Sequence, residues 1–226
     1  MISKTLPHTF EIRNQLIELL EKKEFVEDKT GVKTIEIVGA SFVADEPTIF
    51  GAVNEDWNRR EFEWYKSLSL NVNDIPPPIP QIWKSVASED GGINSNYGWC
   101  IWSAQNSFQY LSCLETLRRD PTSRRACMIY NRPSMQFDFD KDGMSDFMCT
   151  YSTQHMIRDG KLVSLVYMRS NDAVFGYKGD FAWQNKIHRM LAESLSIEPG
   201  EIIWNAASLH VYERHFGLVC DFNLAK

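Results

Sequence analysis

No stretch of this chain approaches eighteen uninterrupted apolar residues, so no helix that spans a membrane is expected. The start, Met1-Ile2-Ser3-Lys4, opens onto an amphipathic segment rather than an apolar leader, and the expected location is the cytoplasm. Cysteine is sparse and unpatterned. The five residues Cys100, Cys113, Cys127, Cys149 and Cys220 are odd in number and form no C-x-x-C pair, which points to a reducing compartment and to no metal site. Basic residues are outnumbered 24 to 30, giving a net charge of -6 and a pI of about 5.4, so direct nucleic-acid binding through a broad basic face is not expected. Any anion bound must meet a local cluster of cations. No linker, repeat or low-complexity tract divides the sequence, and one domain over 1–226 is the simplest reading.

What is present is an ordinary globular composition, 43% hydrophobic and 24% charged, with seven Trp, eight Tyr and thirteen Phe to fill an interior. Ile12, Leu16, Leu19 and Leu20 recur at helical spacing over 9–23, and the β-branched run from Val32 to Val43 reads as a strand after the turn Asp28-Lys29-Thr30-Gly31. A helix is predicted over 56–67. The prolines from Pro76 to Pro80 force an extended connection, and Gly91 to Gly98 reads as loop. A further helix over 105–118 ends at Asp120-Pro121. After Arg125 come strands separated by turns at Asp142-Gly143 and Asp159-Gly160, then a helix over 181–195, a strand over 202–212 and a short terminal helix. Strands cluster in the second half with helices scattered around them, which predicts an α+β domain on one large, mostly antiparallel or mixed sheet.

Six polar residues stand out because each falls in or beside a segment that reads as buried: Cys149, Arg169, Asp172, Asp180, His210 and Tyr212. Cys149, in the strand-like run Asp146 to Thr150, is a candidate nucleophile, with Arg169 after the apolar run Leu162–Met168 as the cation that would favour its thiolate. The plain alternative is a structural cysteine. Arg124-Arg125, Arg169-Ser170 and Lys29-Thr30 together suit a phosphate, although an isolated Arg pair is more often a solvated face. Asp180 follows Gly179 and reads locally as a helix N-cap. Glu61, beside Trp64 and Tyr65, reads as an exposed helix position unless its surroundings exclude water. His210 and Tyr212 are two apart on a strand and face one side, where they could meet a ligand hydroxyl or one another. These residues alone describe a cysteine-dependent enzyme acting on a phosphorylated small molecule.

Taken in order, Glu61-x-x-Trp64, Asn96-Tyr97-Gly98, Ser123-Arg124-Arg125, Cys149 with Gln154 five residues on, Arg169-Ser170-Asn171-Asp172, Asp180 and His210-Val211-Tyr212 resemble the thymidylate synthase superfamily. Within it the likeness is greatest to the bacteriophage branch that hydroxymethylates deoxycytidylate, and it spans nearly the whole chain. The resemblance implies a thymidylate synthase-like fold and one-carbon transfer from 5,10-methylenetetrahydrofolate to carbon 5 of dCMP, with water added to give 5-hydroxymethyl-dCMP. Cys149 would add to carbon 6, with Glu61, Asp180 and Tyr97 as the other catalytic residues. Lys29, Arg124, Arg125, Arg169 and Ser170 would hold the phosphate, Gln154 would contact the nucleotide, and His210 and Tyr212 would hold the sugar hydroxyl. Lys29 stands where most of the family has arginine, keeping the charge without the planar fork. Trp83 and Asp172 would meet the folate. Arg124 and Arg125 would reach across a homodimer, and a phage-encoded enzyme would work in host cytoplasm.

Two branch points follow from the same resemblance. Asp180 replaces the asparagine that faces uracil in synthases, and a carboxyl group matches the amino group of cytosine. Thr150 and Ala207-Ser208 also depart from the synthase pattern and accompany the hydroxymethylating branch. The alternatives are reductive methylation of dCMP or dUMP, and a catalytically weak homologue that serves as an interaction subunit.

Overall fold

The computed structural model describes residues 6–27 and 31–224. Among the described residues the chain is α+β, with helices and a mixed sheet of seven strands. It divides into two compact units, Met1–Val53 with Ile157–Lys226, and Asn54–Met156.

In the first unit, helix α1 (Thr9–Glu21) leads through the two-residue strand β1 (Val26–Glu27) to β2 (Lys33–Val43). Of the apolar positions foreseen on α1, Ile12 and Leu16 are buried and Leu19 and Leu20 half-buried, while Ile17, not foreseen, is buried too. Arg13 is buried as well. Its guanidinium satisfies the Ile49 and Thr48 carbonyls at 2.6 and 3.1 Å and an ion pair with Glu46, and it lies over the Phe222 ring at 4.7 Å. A buried charge held by so many partners costs little to keep and much to strand.

The second unit begins with α2 (Glu55–Ser67), capped by Asn54, whose side chain accepts from the Trp57 amide at 3.0 Å. The Arg60 guanidinium donates to Asp56 and to the Pro76 and Pro78 carbonyls, which fastens the proline-rich connection to the helix. Short helices α3 (Gln81–Val86) and α4 (Tyr97–Trp102) follow, then α5 (Gln109–Arg119). The predicted loop through Gly98 is thus helical at its end. Gly98 is what lets α4 reach α2, because a Cβ there would lie 2.0 Å from the Tyr65 carbonyl oxygen. Helix α5 starts four residues later than expected, since Ser107 and Phe108 take left-handed backbone angles that a helix cannot include.

The long strand predicted after Arg125 shrinks to β3 (Cys127–Ile129), followed by a helical turn, α6 (Met135–Asp138). Asp142-Gly143 sits in a 3₁₀ turn, not in a hairpin, and residues 144–149 have no regular structure. The next strand, β4 (Thr150–Arg158), pairs antiparallel with β3, Cys127 opposite Gln154.

Back in the first unit, the Asp159-Gly160 turn leads into β5 (Lys161–Met168) as predicted, and then the two-residue β6 (Asn171–Asp172). Helix α7 spans Gly176–Leu195 and β7 spans Glu198–Tyr212, before the terminal α8 (Phe216–Leu224). Strand β7 is central. It runs antiparallel to β2 and parallel to β5 and β6. The strand predicted from Ile202 begins four residues earlier, and Pro199-Gly200 lies inside β7. The register shift between Leu162 and Ser164 accommodates it, and a Cβ on Gly200 would come within 2.6 Å of the Leu162 oxygen. Tyr177, Phe181, Gln184, Ile187, His188 and Leu191 form the buried stripe of α7. The Tyr177 ring packs edge-on to Trp204 at 5.1 Å and tilts against Phe42 at 5.9 Å. No described helix is long and apolar enough to cross a membrane.

His188 on α7 is buried with Nδ1 2.6 Å from the Ser164 hydroxyl, and burial pushes its pKa down to about 4. In the unfolded chain the same imidazole titrates near 6.5, so between these values the unfolded state binds more protons and stability falls as pH falls. Urea unfolding of a His188→Gln variant should therefore lose a part of the acid sensitivity worth up to about 3 kcal/mol between pH 7 and pH 4. Identical pH slopes for the two proteins would contradict this burial argument.

Candidate active site

In the first unit the polar residues singled out in the sequence gather around the ends of β5, β6 and β7. Arg169 follows β5 directly and, with Ser170, is half-buried. Asp172 is opposite His210 in the parallel β6–β7 pairing, and its carboxylate accepts from the Val174 amide at 2.8 Å. His210 is buried and its rings stack edge-to-face with Tyr212 at 4.9 Å, so the two do share one side of the strand. Burial lowers the His210 pKa, against the raising effect of Asp172 and Glu36.

Asp180 is not an N-cap. Helix α7 begins at Gly176, which places Asp180 inside it, a turn past its start. Its Oδ2 accepts from Asn171 Nδ2 at 2.8 Å, while Asn171 Oδ1 accepts from Trp204 Nε1 at 3.2 Å. An indole N–H can only donate, so it fixes which end of the Asn171 amide faces it. The amide nitrogen is then turned toward Asp180, whose Oδ2 is committed as an acceptor. Asn171 is 2% exposed, so this orientation is set by the protein rather than by water.

The second unit holds the remainder. Glu61 on α2 is buried at 8% exposure, which corrects the reading of an exposed helix position: the same face of α2 buries Trp64 and Tyr65. Trp83 on α3 is half-buried and stands edge-on to Trp64 at 5.1 Å. Tyr97 opens α4, stacked on Tyr65 at 5.4 Å and edge-on to Tyr130 at 5.2 Å. The preceding Asn96 is fully buried. It caps α4 by accepting from Trp99 N and donates to the Trp64 and Ser69 carbonyls.

Cys149 lies just before β4, half-buried, with Sγ 3.9 Å from the Phe147 oxygen. It is therefore outside the strand predicted for it. Three residues earlier the buried Asp146 accepts from Asn94 N and Ser95 N, both at 2.8 Å, and from Ser95 Oγ at 2.7 Å. This carboxylate anchors the irregular segment that carries the sulfur. Arg124 and Arg125 are exposed. Gln154 donates to the Arg124 carbonyl at 2.7 Å, holding the backbone beside that pair. Lys29 lies outside the described residues. Among the described residues no cluster of three His, Cys, Asp or Glu could hold a metal ion.

Asn171, Trp204, Asp146 and Glu36 carry site geometry that sequence reading passed over. Only Glu36, a charge between Ile35 and Ile37 in a strand, left a local sign of its role.

The family model for thymidylate synthase matches residues 12–222, running through both units, and the chain belongs to the thymidylate synthase family. Its relatives include phage hydroxymethyltransferases and bacterial thymidylate synthases. It is 59% identical over 216 residues, 92% of this chain and 88% of the relative, to the deoxycytidylate 5-hydroxymethyltransferase of Enterobacteria phage T4, and equally to that of phage T2. It is 34% identical over 163 residues to the thymidylate synthase of Bacillus subtilis subsp. natto, covering 69% of this chain and 57% of that one.

The Asp146 anchor predicts a specific cost. Asp146→Ala strands two amides and a hydroxyl, and should lose about 3 kcal/mol in denaturant unfolding, with Asp146→Asn losing less. A loss below about 1 kcal/mol for the alanine variant would show that the anchor is dispensable.

Proposed function

We propose that this chain is a deoxycytidylate 5-hydroxymethyltransferase, moving a one-carbon unit from 5,10-methylenetetrahydrofolate to carbon 5 of dCMP and adding water to it. The reading rests on the high identity to the phage enzymes of that name. The observation that carries it is a carboxyl group at position 180, whose Oδ2 accepts from an Asn171 amide oriented by Trp204. A carboxylate accepts from the exocyclic amino group of cytosine, whereas it opposes the carbonyl oxygen that uracil has in the same place. Sites built on such an edge can discriminate by about 10⁴, because the wrong ligand leaves buried groups unpaired.

In this reading the Cys149 thiolate adds to carbon 6, forming a C–S bond and shifting the ring's electron pair toward carbon 5, while Asp180 accepts from the amino group and helps bring to the ring nitrogen a proton that is given back when sulfur leaves. The folate supplies the one-carbon unit at the oxidation level of formaldehyde. Carbon 5 bonds to that unit and gives up its proton, and the bond from the unit to the folate nitrogen breaks, releasing tetrahydrofolate and leaving an exocyclic methylene on the base. Glu61, buried and able to hold water in place, directs the oxygen of water to the exocyclic carbon. Departure of sulfur from carbon 6 then restores the aromatic base and the thiolate. Tyr97 sits beside the reacting carbon, its ring held between Tyr65 and Tyr130.

Arg169 and Ser170 bind the 5′-phosphate together with Lys29, and Gln154 contacts the nucleotide. Arg124 and Arg125 serve the nucleotide of a second copy in a homodimer, a role that their exposure in the single chain allows. His210 and Tyr212 meet the sugar hydroxyl. The half-buried indole of Trp83 and carboxylate of Asp172 fit a pterin, offering a stacking edge and an acceptor for its N–H groups. The whole chain acts as one catalytic domain, working in the cytoplasm of a phage's host.

Mass analysis of the products from dCMP, CMP and dUMP with methylenetetrahydrofolate tests the reading. The expected products are 5-hydroxymethyl-dCMP and tetrahydrofolate. Dihydrofolate with a methylated base would replace this reading by reductive methylation, and failure to release tritium from carbon 5 of labelled dCMP would leave only an interaction subunit.

A further inference from the structure

We propose that Glu36 and Ser208 are positioning residues for His210, holding its proton on Nδ1 so that Nε2 faces a ligand as a hydrogen-bond acceptor. Strand β2 lies antiparallel to β7 with Glu36 opposite His210 and Val38 opposite Ser208. Ser208, His210 and Tyr212 alternate along β7 and so project from one face. On that face the Ser208 hydroxyl bonds to Glu36 Oε1 and lies 3.1 Å from His210 Nδ1.

The direction of each bond follows from counting protons. A carboxylate only accepts, so the single hydroxyl proton of Ser208 goes to Glu36. Toward His210 the hydroxyl is then an acceptor and Nδ1 carries hydrogen, in the same sense as the Ser208 backbone, whose hydrogen bond to the ring raises the His210 pKa. Burial disfavours the doubly protonated ring, so near neutral pH one proton is present and Nε2 keeps its lone pair. The charged groups around this imidazole are Glu36 on β2, Asp172 on β6 and Arg169 after β5, with the Tyr212 ring edge-to-face at 4.9 Å. His210 is 7% exposed, so water does little to scramble the arrangement.

Resting on the reading that His210 meets the sugar of dCMP, the consequence is that the sugar hydroxyl must donate to it. A nucleotide lacking that hydroxyl would leave a buried acceptor unpaired.

The tautomer can be read without substrate, by NMR of the protein labelled with ¹⁵N in its five histidines, with His210 assigned by difference from a His210→Gln variant. The native protein should show hydrogen on Nδ1. Ser208→Ala should move the population toward the Nε2–H form, as should Glu36→Ala, which frees the hydroxyl to donate and serves as the second variant if the first does not fold. Ser208→Thr keeps the hydroxyl and should keep the native tautomer. An Nε2–H imidazole in the native protein, or no change in either alanine variant, overturns the proposal.

Kinetics separates this from the functional reading. Ser208→Ala should raise KM for dCMP by about 3- to 10-fold with a smaller change in kcat, the loss of one well-directed hydrogen bond. KM for 2′,3′-dideoxycytidine 5′-monophosphate should not move. An equal rise for both nucleotides would overturn the sugar contact assigned to His210, while the tautomer measurement decides the positioning role on its own.

Discussion

The indole N–H of Trp204 has one thing it can do, which is donate, and the amide of Asn171 must answer it with oxygen. The orientation of the amide beside Asp180 follows from that constraint. The amide nitrogen is left facing Asp180, and the carboxylate oxygen it meets becomes a fixed acceptor. Trp204 is fully buried and wedged edge-on against Tyr177, so the chain of orientation begins in the core. A polar residue on a helix is thus given a defined hydrogen-bonding sense by an aromatic residue on a strand 24 positions away in sequence.

The second unit uses the same economy with different groups. Asp146 gathers two backbone amides and a hydroxyl from Asn94 and Ser95, and Asn96 caps the helix that carries Tyr97. Leaving any of these donors unmet would cost about 1–3 kcal/mol each, so the irregular stretch before Cys149 is anchored at Asp146 without a strand ladder. Regular structure is not what positions the sulfur.

Much of this was legible from sequence. The α1 stripe, the β2 run, the Asp159-Gly160 turn and the pairing of His210 with Tyr212 all follow from periodicity and turn chemistry. The start of α7 did not, because Gly176 and Gly179 resemble loop residues while tertiary packing of Tyr177 makes them helical. Asp180 was misread as a cap for the same reason. The strand after Arg125 shortened because its apolar residues pack around a helical turn, with Met135 fully buried, instead of along a ladder. Glu61 looked exposed because a helix in isolation does not show what covers it. Asn171 and Ser208 stood in the sequence only as members of short motifs, because the partners that give them their roles, Trp204 for Asn171 and Glu36 for Ser208, are distant in sequence.

The account turns on Asp180 being read as an acceptor by the base. In Asp180→Asn, Asn171 Nδ2 would still require an oxygen, so the new amide would keep its oxygen toward Asn171 and turn its NH₂ group to the nucleotide. That reversal should favour uracil. The ratio of kcat/KM for dCMP to that for dUMP, compared between the native protein and this variant, is the most direct test. The ratio should fall by at least about a hundredfold. A ratio that does not change would mean that the carboxylate does not read the base edge, and the assignment of cytosine as the substrate base would lose its physical ground.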